Sequence, residues 1–345
     1  MERTLDSLDE DLLNDRALTR DEALVLYAAA ADPDAAEPLF GAAARLRDRG
    51  FGKGVHYMAT MAPILACAIK PRCEYCDWWR ARVIQRGRLA AGAAALSARG
   101  VRRVLLVGGS RDGDYDDGVV DAVERIRADG LDLDIEINVG GSLGAAGLDR
   151  LRALGVVGVT ASLETVNAAI FARHKPGDSL AARRRLLADA QQRGFELRSI
   201  MMIGLGEADA DRIDHLLELR THAGLRHLMI SRFSPRADTP LAEREVAALH
   251  DWARTVAIAR LLLPRVRIGL AGGVDLAALP LWHRAGGGNQ LFAMGVHTAE
   301  PPPELRDLAQ PLGDRLYLVD RRPLLEAFLN GAGLRPSFAD AQDCR

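Results

Sequence analysis

Cysteines, aromatic side chains and any imbalance of charge are all scarce in this 345-residue chain. It holds four cysteines, 5% aromatics, and 45 basic against 47 acidic side chains, for a net charge of −2. Four cysteines are too few for a secreted disulfide framework of this size. Balanced charge without a long basic run leaves no footprint for nucleic acid, and none is expected as a partner. Long hydrophobic runs are missing too. The longest candidate, residues 256–263, is broken by Arg260 and stopped by Pro264, far short of the ~20 apolar residues that cross a bilayer. The opening Met1-Glu2-Arg3-Thr4-Leu5-Asp6 is polar and acidic, unlike a secretory leader. The expectation is a cytoplasmic protein with no membrane partner.

What is present suits one large domain. Hydrophobic residues make up 48% and charged residues 27%, enough to bury a sizeable core. Residues 5–13, 19–31 and 36–47 show apolar side chains at helical spacing. Thr19 stands before Asp21-Glu22 as a capping start. These segments predict a helical extension over 1–50, as a lid or flank on the rest of the chain. From about residue 54 short apolar runs alternate with amphipathic stretches. Strands are expected at 56–61, 104–107, 134–139, 156–163, 197–203, 227–232, 266–270 and 290–294. Helices are expected at 82–97, 119–129, 180–193, 209–223 and 242–263. Eight strands alternating with helices predict parallel pairing, and a (β/α)8 TIM-type barrel of ~250 residues over 51–300 fits the count better than an open sheet. Pro301-Pro302-Pro303 then reads as a linker into a C-terminal extension over 301–345. Residues 305–329 there would supply short helices closing the barrel's base.

In such barrels the chemistry lies at the strand C-terminal ends. Polar and Gly-rich segments fall there: Gly108-Gly109-Ser110, Ser162-Leu163-Glu164-Thr165, Gly204-Leu205-Gly206-Glu207, Ser234-Pro235-Arg236 and Gly272-Gly273, with Gly286-Gly287-Gly288-Asn289 leading into the last strand. The sharpest signal comes just after the first strand. Cys67, Cys73 and Cys76, spaced C-x5-C-x2-C, put three thiolates on one loop. Thiolates are what iron–sulfur clusters require, and three ligands on a four-iron cube leave one iron open to a small molecule. A structural zinc ion would want a fourth ligand, and His56 or Cys344 are the candidates. A non-catalytic cluster- or zinc-binding module is the alternative reading.

Residues 55–300 resemble the radical S-adenosylmethionine (SAM) superfamily, in the branch of biotin synthase, methylornithine synthase and the hydrogenase maturases. Most members space the cysteines C-x3-C-x2-C. The five residues Ala68 to Arg72 make this loop similar to that of the HmdB-like group, linked to maturation of the mononuclear-iron hydrogenase cofactor. The resemblance implies a [4Fe–4S] cluster on the three cysteines. It implies SAM bound by Tyr75, Gly108, Gly109, Ser110, Ser162, Glu164, Arg183 and Gly204, with Arg184 as fallback for Arg183. Ser110 stands where the family has an acid, and a degenerate barrel that binds SAM without cleaving it would follow from that departure alone. Ser162-Leu163-Glu164-Thr165 with His174-Lys175-Pro176-Gly177 carries the likeness to the methylornithine synthase and maturase branch. Phe233-Ser234-Pro235, Thr239-Pro240-Leu241 and Ala285–Asn289 would shape the substrate end of the cavity.

As the resemblance has it, the reduced cluster splits SAM into methionine and a 5′-deoxyadenosyl radical. That radical abstracts hydrogen from a small molecule, and ferredoxin or flavodoxin supplies the electron. Asn138, Ser162, Arg198, Arg232, Arg236 and Asn289 are candidates for the cavity wall, whereas Met201-Met202 reads as core packing and Asp112, Asp114, Asp116 and Asp117 as a solvated turn. Sulfur insertion of the biotin or lipoyl synthase kind needs a second cluster. Cys344 is the one cysteine to spare, so carbon-skeleton rearrangement, C–C cleavage or cofactor maturation is expected instead.

Overall fold

A computed structural model describes residues 16–111, 113, 115–270 and 276–339. The helix expected at 5–13, Asp112, Asp114, Gly272-Gly273 and Cys344 lie outside them.

Eight parallel strands form and close: β1 Gly54–Ala62, β2 Arg103–Val107, β3 Asp134–Asn138, β4 Val156–Thr160, β5 Glu196–Ile203, β6 Leu225–Arg232, β7 Arg267–Leu270 and β8 Gln290–His297. They pair in sequence order, and β1 against β8 completes the ring from His56↔Gln290 to Ala62↔His297. This is the expected (β/α)8 TIM-type barrel. Its strands are buried on both faces and therefore read as apolar runs.

Two helices precede the barrel, α1 Arg20–Ala29 and α2 Glu37–Phe51. Thr19 starts α1 as expected: its hydroxyl accepts from the Glu22 N–H, and Glu22 accepts from the Thr19 N–H at 2.9 Å. Outside the strands lie α3 Leu89–Ser97, α4 Asp116–Arg127, α5 Ala145–Ala153, α6 Ala168–His174, α7 Leu180–Gln192, α8 Asp209–Arg220, α9 Leu249–Leu262 and α10 Leu279–Arg284. The N-terminal helices lie on the flank of α8 and α9. There Tyr27 bonds Thr255 at 2.6 Å and accepts from Arg212 at 2.9 Å. Two expected helices start late: 82–85 is loop and Arg86–Arg88 a single 3-10 turn, and 242–248 is turn and loop, because the apolar spacing sets in only at Leu89 and Leu249.

The segment after 300 corrects its expectation in part. A β-hairpin, β9 Ala309–Gly313 and β10 Leu316–Asp320, comes first; one expected short helix then forms as α11 Arg322–Gly331, followed by β11 Arg335–Ser337. β10 runs antiparallel to residues 294–297 of β8, so this hairpin stands beside the mouth of the barrel. β11, pairing Gly54–His56, reaches the base, and Phe328 of α11 packs there on His283 with ring centroids 5.9 Å apart. Among the described residues no helix is long and apolar enough to cross a membrane.

The barrel interior is layered. Near the strand N-termini a polar layer closes the base. Arg198 donates to Glu136 at 2.9 Å and to Gln290 at 2.7 Å, Arg103 to Glu136 at 3.1 Å and to Glu196 at 2.5 Å, and Gln290 bonds His227 at 2.9 Å. Above it Met58, Leu105, Met229 and Phe292 form an apolar plug. Gly158 on β4 makes room for the polar layer, since a Cβ there would fall 3.0 Å from Glu136 Cγ.

Candidate active site

Above the plug the strand ends and their loops enclose a cavity of about 450 Å³. Cys67, Cys73 and Cys76 all reach it, as do Gly108, Gly109, Ser110, Asn138, Ser162, Glu164 and Arg183. The cysteine loop is fixed on three sides. Ala68 N–H donates to Ser110 O at 2.8 Å, and Gly109 N–H to Leu65 O at 3.0 Å. Glu74 N–H donates to His174 O at 2.9 Å, while the Glu74 carboxylate takes His174 Nδ1 at 2.7 Å. Glycine is dictated where loop meets loop. A Cβ on Gly109 would lie 2.2 Å from Cys67 Cα, and one on Gly177 would lie 2.3 Å from Pro71 O.

Burial pushes the Cys73 thiol up, and that of Cys76 up to about 11. Without metal both are thiols at neutral pH, and a thiophilic cation must displace their protons. His56 cannot complete a four-ligand zinc set. It lies at the base end of β1, paired with Gln290, with the length of the strand between it and the cysteine loop.

The β4 side of the cavity carries fixed charge. Glu164 adopts φ 61°, a left-handed conformation costing a non-glycine residue ~1–2 kcal/mol. It is held there by its N–H on Ile200 O (2.9 Å) and its C=O on Met202 N–H (2.8 Å). Its Oε1 lies 3.8 Å from Lys175 Nζ, and its Oε2 is buried with no partner. Arg183, 3% exposed, bonds Asp178 at 2.6 Å and the Ser162 carbonyl. Burial opposes the Asp178 charge, but the Arg183 bond and charge outweigh it and hold that carboxyl down to about 2. The Tyr75 hydroxyl is also buried and unpartnered, its ring 5.5 Å from Lys175 Nζ. Tyr75 faces a second cavity of about 620 Å³, which shares Cys76, Trp78, Met202 and Ser231 with the first.

Several expectations change in place. Arg184, the fallback for Arg183, points away and pairs with Glu218 at 2.6 Å. Gly204 reaches neither cavity. Its φ is +106°, and the space a Cβ would take is filled by Ala247 at 2.8 Å, so its own chain, not a ligand, requires the glycine. Arg198 belongs to the base layer. Asn289 and the glycines before it also lie at the base, with Asn289 Oδ1 accepting from the Ile268 N–H at 3.0 Å; they do not shape the substrate end. Phe233, Ser234, Arg232 and Arg236 line the second cavity. Met201 is core, while Met202 lines both cavities. Asp116 binds the N–H groups of Gly144 and Gly147 at 2.9 Å and is structural, whereas Asp117, paired with Arg150, has a side chain 95% exposed and is solvated as expected. Sequence reading missed Asp178, His297 and Arg321 on the cavity wall and gave Lys175 no role.

Fold and site together define a barrel enzyme whose mouth offers three thiolates to one metal centre and unpaired polar atoms to a ligand beside it. The sequence profile of the radical SAM superfamily matches residues 61–219. The chain is 30% identical over 290 residues to Biotin synthase 2 of Corynebacterium diphtheriae, covering 79% of this chain and 83% of that protein. It is 28% identical over 240 residues to an uncharacterized protein of Methanocaldococcus jannaschii, spanning 67% of this chain but less than two thirds, 63%, of that relative. The crystal structure of methylornithine synthase superposes with a TM-score of 0.76 at 20% identity, over 96% of this chain and 97% of the other, which speaks for the fold. The chain belongs to the radical SAM superfamily, in the branch that includes biotin synthase. It is a radical SAM enzyme, and its cofactors are a [4Fe–4S] cluster and SAM.

The residues present fit these groups. Three clustered thiols match the donor set of a cluster with one open iron. The orphaned Glu164 oxygen and Tyr75 hydroxyl are acceptor and donor in want of a polar ligand.

Proposed function

We propose that Cys67, Cys73 and Cys76 hold the cluster, and that the enzyme takes hydrogen from an unactivated C–H bond of a small molecule. The reaction would serve cofactor maturation, as in the HmdB-like group, or carbon-skeleton rearrangement, as in methylornithine synthase. When bound, the cluster and SAM supply a 5′-deoxyadenosyl radical by one-electron reduction of the sulfonium. The chain's part is to bind, orient and shield. Arg183 offers the SAM carboxylate a bidentate partner, drawing on a guanidinium already fixed by Asp178. Glu164 offers its free oxygen to hydroxyl or ammonium groups of the nucleotide, Tyr75 its ring and hydroxyl, and Ser162, Ser110 and the Gly108-Gly109 backbone complete the cradle. The apolar plug below keeps water from the reacting centre.

The observation that carries this reading is three half-buried thiols and two orphaned polar atoms around connected cavities at the mouth of one barrel. Sulfur insertion finds no support. The four cysteines in the sequence leave too few ligands for a second cluster, and the base of the barrel is filled by Arg198, Glu136 and Gln290. An external electron donor is required, and ferredoxin or flavodoxin is our proposal. The exposed Lys70, Arg72 and Arg82 beside the cysteine loop favour an acidic partner. The division into 1–50, 51–300 and 301–345 is part of the same reading, with the last segment completing the mouth.

The test is anaerobic reconstitution followed by iron analysis and a SAM-cleavage assay with dithionite. The wild type should carry about four irons and form 5′-deoxyadenosine; Cys73→Ala should lose both. A colourless zinc protein that leaves SAM intact would decide for the non-catalytic module.

A further inference from the structure

The two walls of the main cavity treat charge differently. On the β4 wall every cation has an acid: Arg183 lies 2.6 Å from Asp178, and Lys175 lies 3.6 Å from Asp178 and 3.8 Å from Glu164. The opposite wall, where β1 and β8 end, carries His297 and Arg321. Arg321 directly follows β10, and its N–H donates to Ala293 O at 2.8 Å, which pins it to β8. The acid next to it is taken. Asp320 accepts from Arg322 Nε at 3.0 Å and from Arg322 Nη2 at 2.6 Å. No carboxylate among the described residues pairs with the Arg321 guanidinium, and burial is the sole influence that pulls its pKa down. His297 adds no negative charge. Burial, helped by the Arg321 charge, pushes it down to about 4, so it is neutral at physiological pH.

Below this cation the cavity is apolar, lined by Met294 and by Phe292 and Met229 of the plug. A half-buried guanidinium without a counter-charge is costly in such surroundings. A carboxylate arriving with a ligand removes that cost and forms a charge-assisted, bidentate pair. The SAM carboxylate has its partner on the other wall, at Arg183.

We propose that Arg321 anchors a carboxylate of the substrate, and that the substrate is a small carboxylic acid whose apolar body rests on Phe292, Met294 and Met229. This rests on the radical SAM reading of the cavity and deepens it. The C-terminal segment, outside the run of eight strands, then determines specificity. The site selects for one negative charge next to an apolar C–H-bearing body.

The experiment measures binding to the reconstituted, SAM-loaded protein. The probes are matched straight-chain and aryl carboxylates, hexanoate and phenylacetate among them, each beside its carboxamide. At least one carboxylate should bind about tenfold or more tighter than its amide, the scale of one charge-assisted pair. Arg321→Met should abolish that preference, Arg321→Lys should retain part of it, and Arg184→Met, on the outer surface, should leave it intact. Equal binding of every acid and amide, or a preference that survives Arg321→Met, overturns the proposal. Iron content and SAM cleavage of the same wild-type preparation separate the two failures. A protein with cluster and cleavage but no carboxylate preference refutes the anchor alone, whereas a protein without a cluster refutes both.

Discussion

The base and the mouth of this barrel are both rich in buried polar groups, yet they use them in opposite ways. At the base, Arg103, Glu136, Arg198, Glu196 and Gln290 are paired with one another. Glu136, Glu196 and His227 are disposed as three metal ligands would be. The Arg103 guanidinium, bonded to both carboxylates, already supplies the positive charge. Burial opposes the Glu136 charge, but Arg198 and Arg103 hold its carboxyl well below the usual range. At the mouth, by contrast, the Tyr75 hydroxyl and one Glu164 oxygen lack partners, Arg321 has no acid among the described residues, and two thiols are pushed up by burial. The charged groups of the base are closed on one another, even though His227 Nε2 and Asn289 Nδ2 there make no hydrogen bond, whereas the open groups of the mouth, a carboxylate oxygen, a hydroxyl and a guanidinium, stand around cavities, and that is where a ligand belongs.

That contrast can be broken by mutation. Glu136→Ala would strand the buried Arg198 guanidinium and leave Arg103 with Glu196 but without its buried partner, and a loss of ~3–5 kcal/mol in unfolding free energy is expected; an equilibrium denaturant curve that barely moves would show the base network to be dispensable. Acid should act on the fully buried histidines. His227, in the base layer, and His215, on α8, are pushed down to about 4 and about 3, chiefly by burial. Their folded pKa values lie below the unfolded one, so below about pH 6.5 the unfolded chain binds more protons and stability falls as pH drops toward 4, on the order of 1 kcal/mol per pH unit for each histidine. Thermal unfolding of the metal-free protein across that window checks it, and a flat or rising profile would contradict it. The smallest effect belongs to the mouth. Tyr75→Phe removes a buried hydroxyl that has no partner and should leave the metal-free chain as stable or more so by up to ~1 kcal/mol, while SAM affinity of the loaded enzyme falls. Lost stability with unchanged SAM binding would make Tyr75 a core residue.

The sequence made the barrel legible because each strand is a buried apolar run and each crossover an amphipathic stretch. The cysteine trio and Arg183 were legible through spacing and motif. Depth along the barrel axis was not. Arg198 and Ile200 stand two residues apart on β5, and a period of two assigns side chains to a face without saying how far up the barrel they lie. One ends in the base layer and the other on the cavity wall. Asn289 misled for the same reason, since it precedes β8 and so sits at its base. Residues 309–320 form short strands with exposed edges and resemble turn and helix as much as strand. Nothing in sequence near Arg321 announces a cavity, because only the pairing of β10 with β8 carries it there.

The central claim is that the loop bearing Cys67, Cys73 and Cys76 holds a four-iron cluster whose open iron receives SAM at the barrel mouth. Electron paramagnetic resonance of the dithionite-reduced, anaerobically reconstituted protein, recorded with and without SAM, tests it directly. The account predicts a [4Fe–4S]⁺ signal whose g values shift when SAM is added. The absence of a four-iron signal, or one indifferent to SAM, would contradict it.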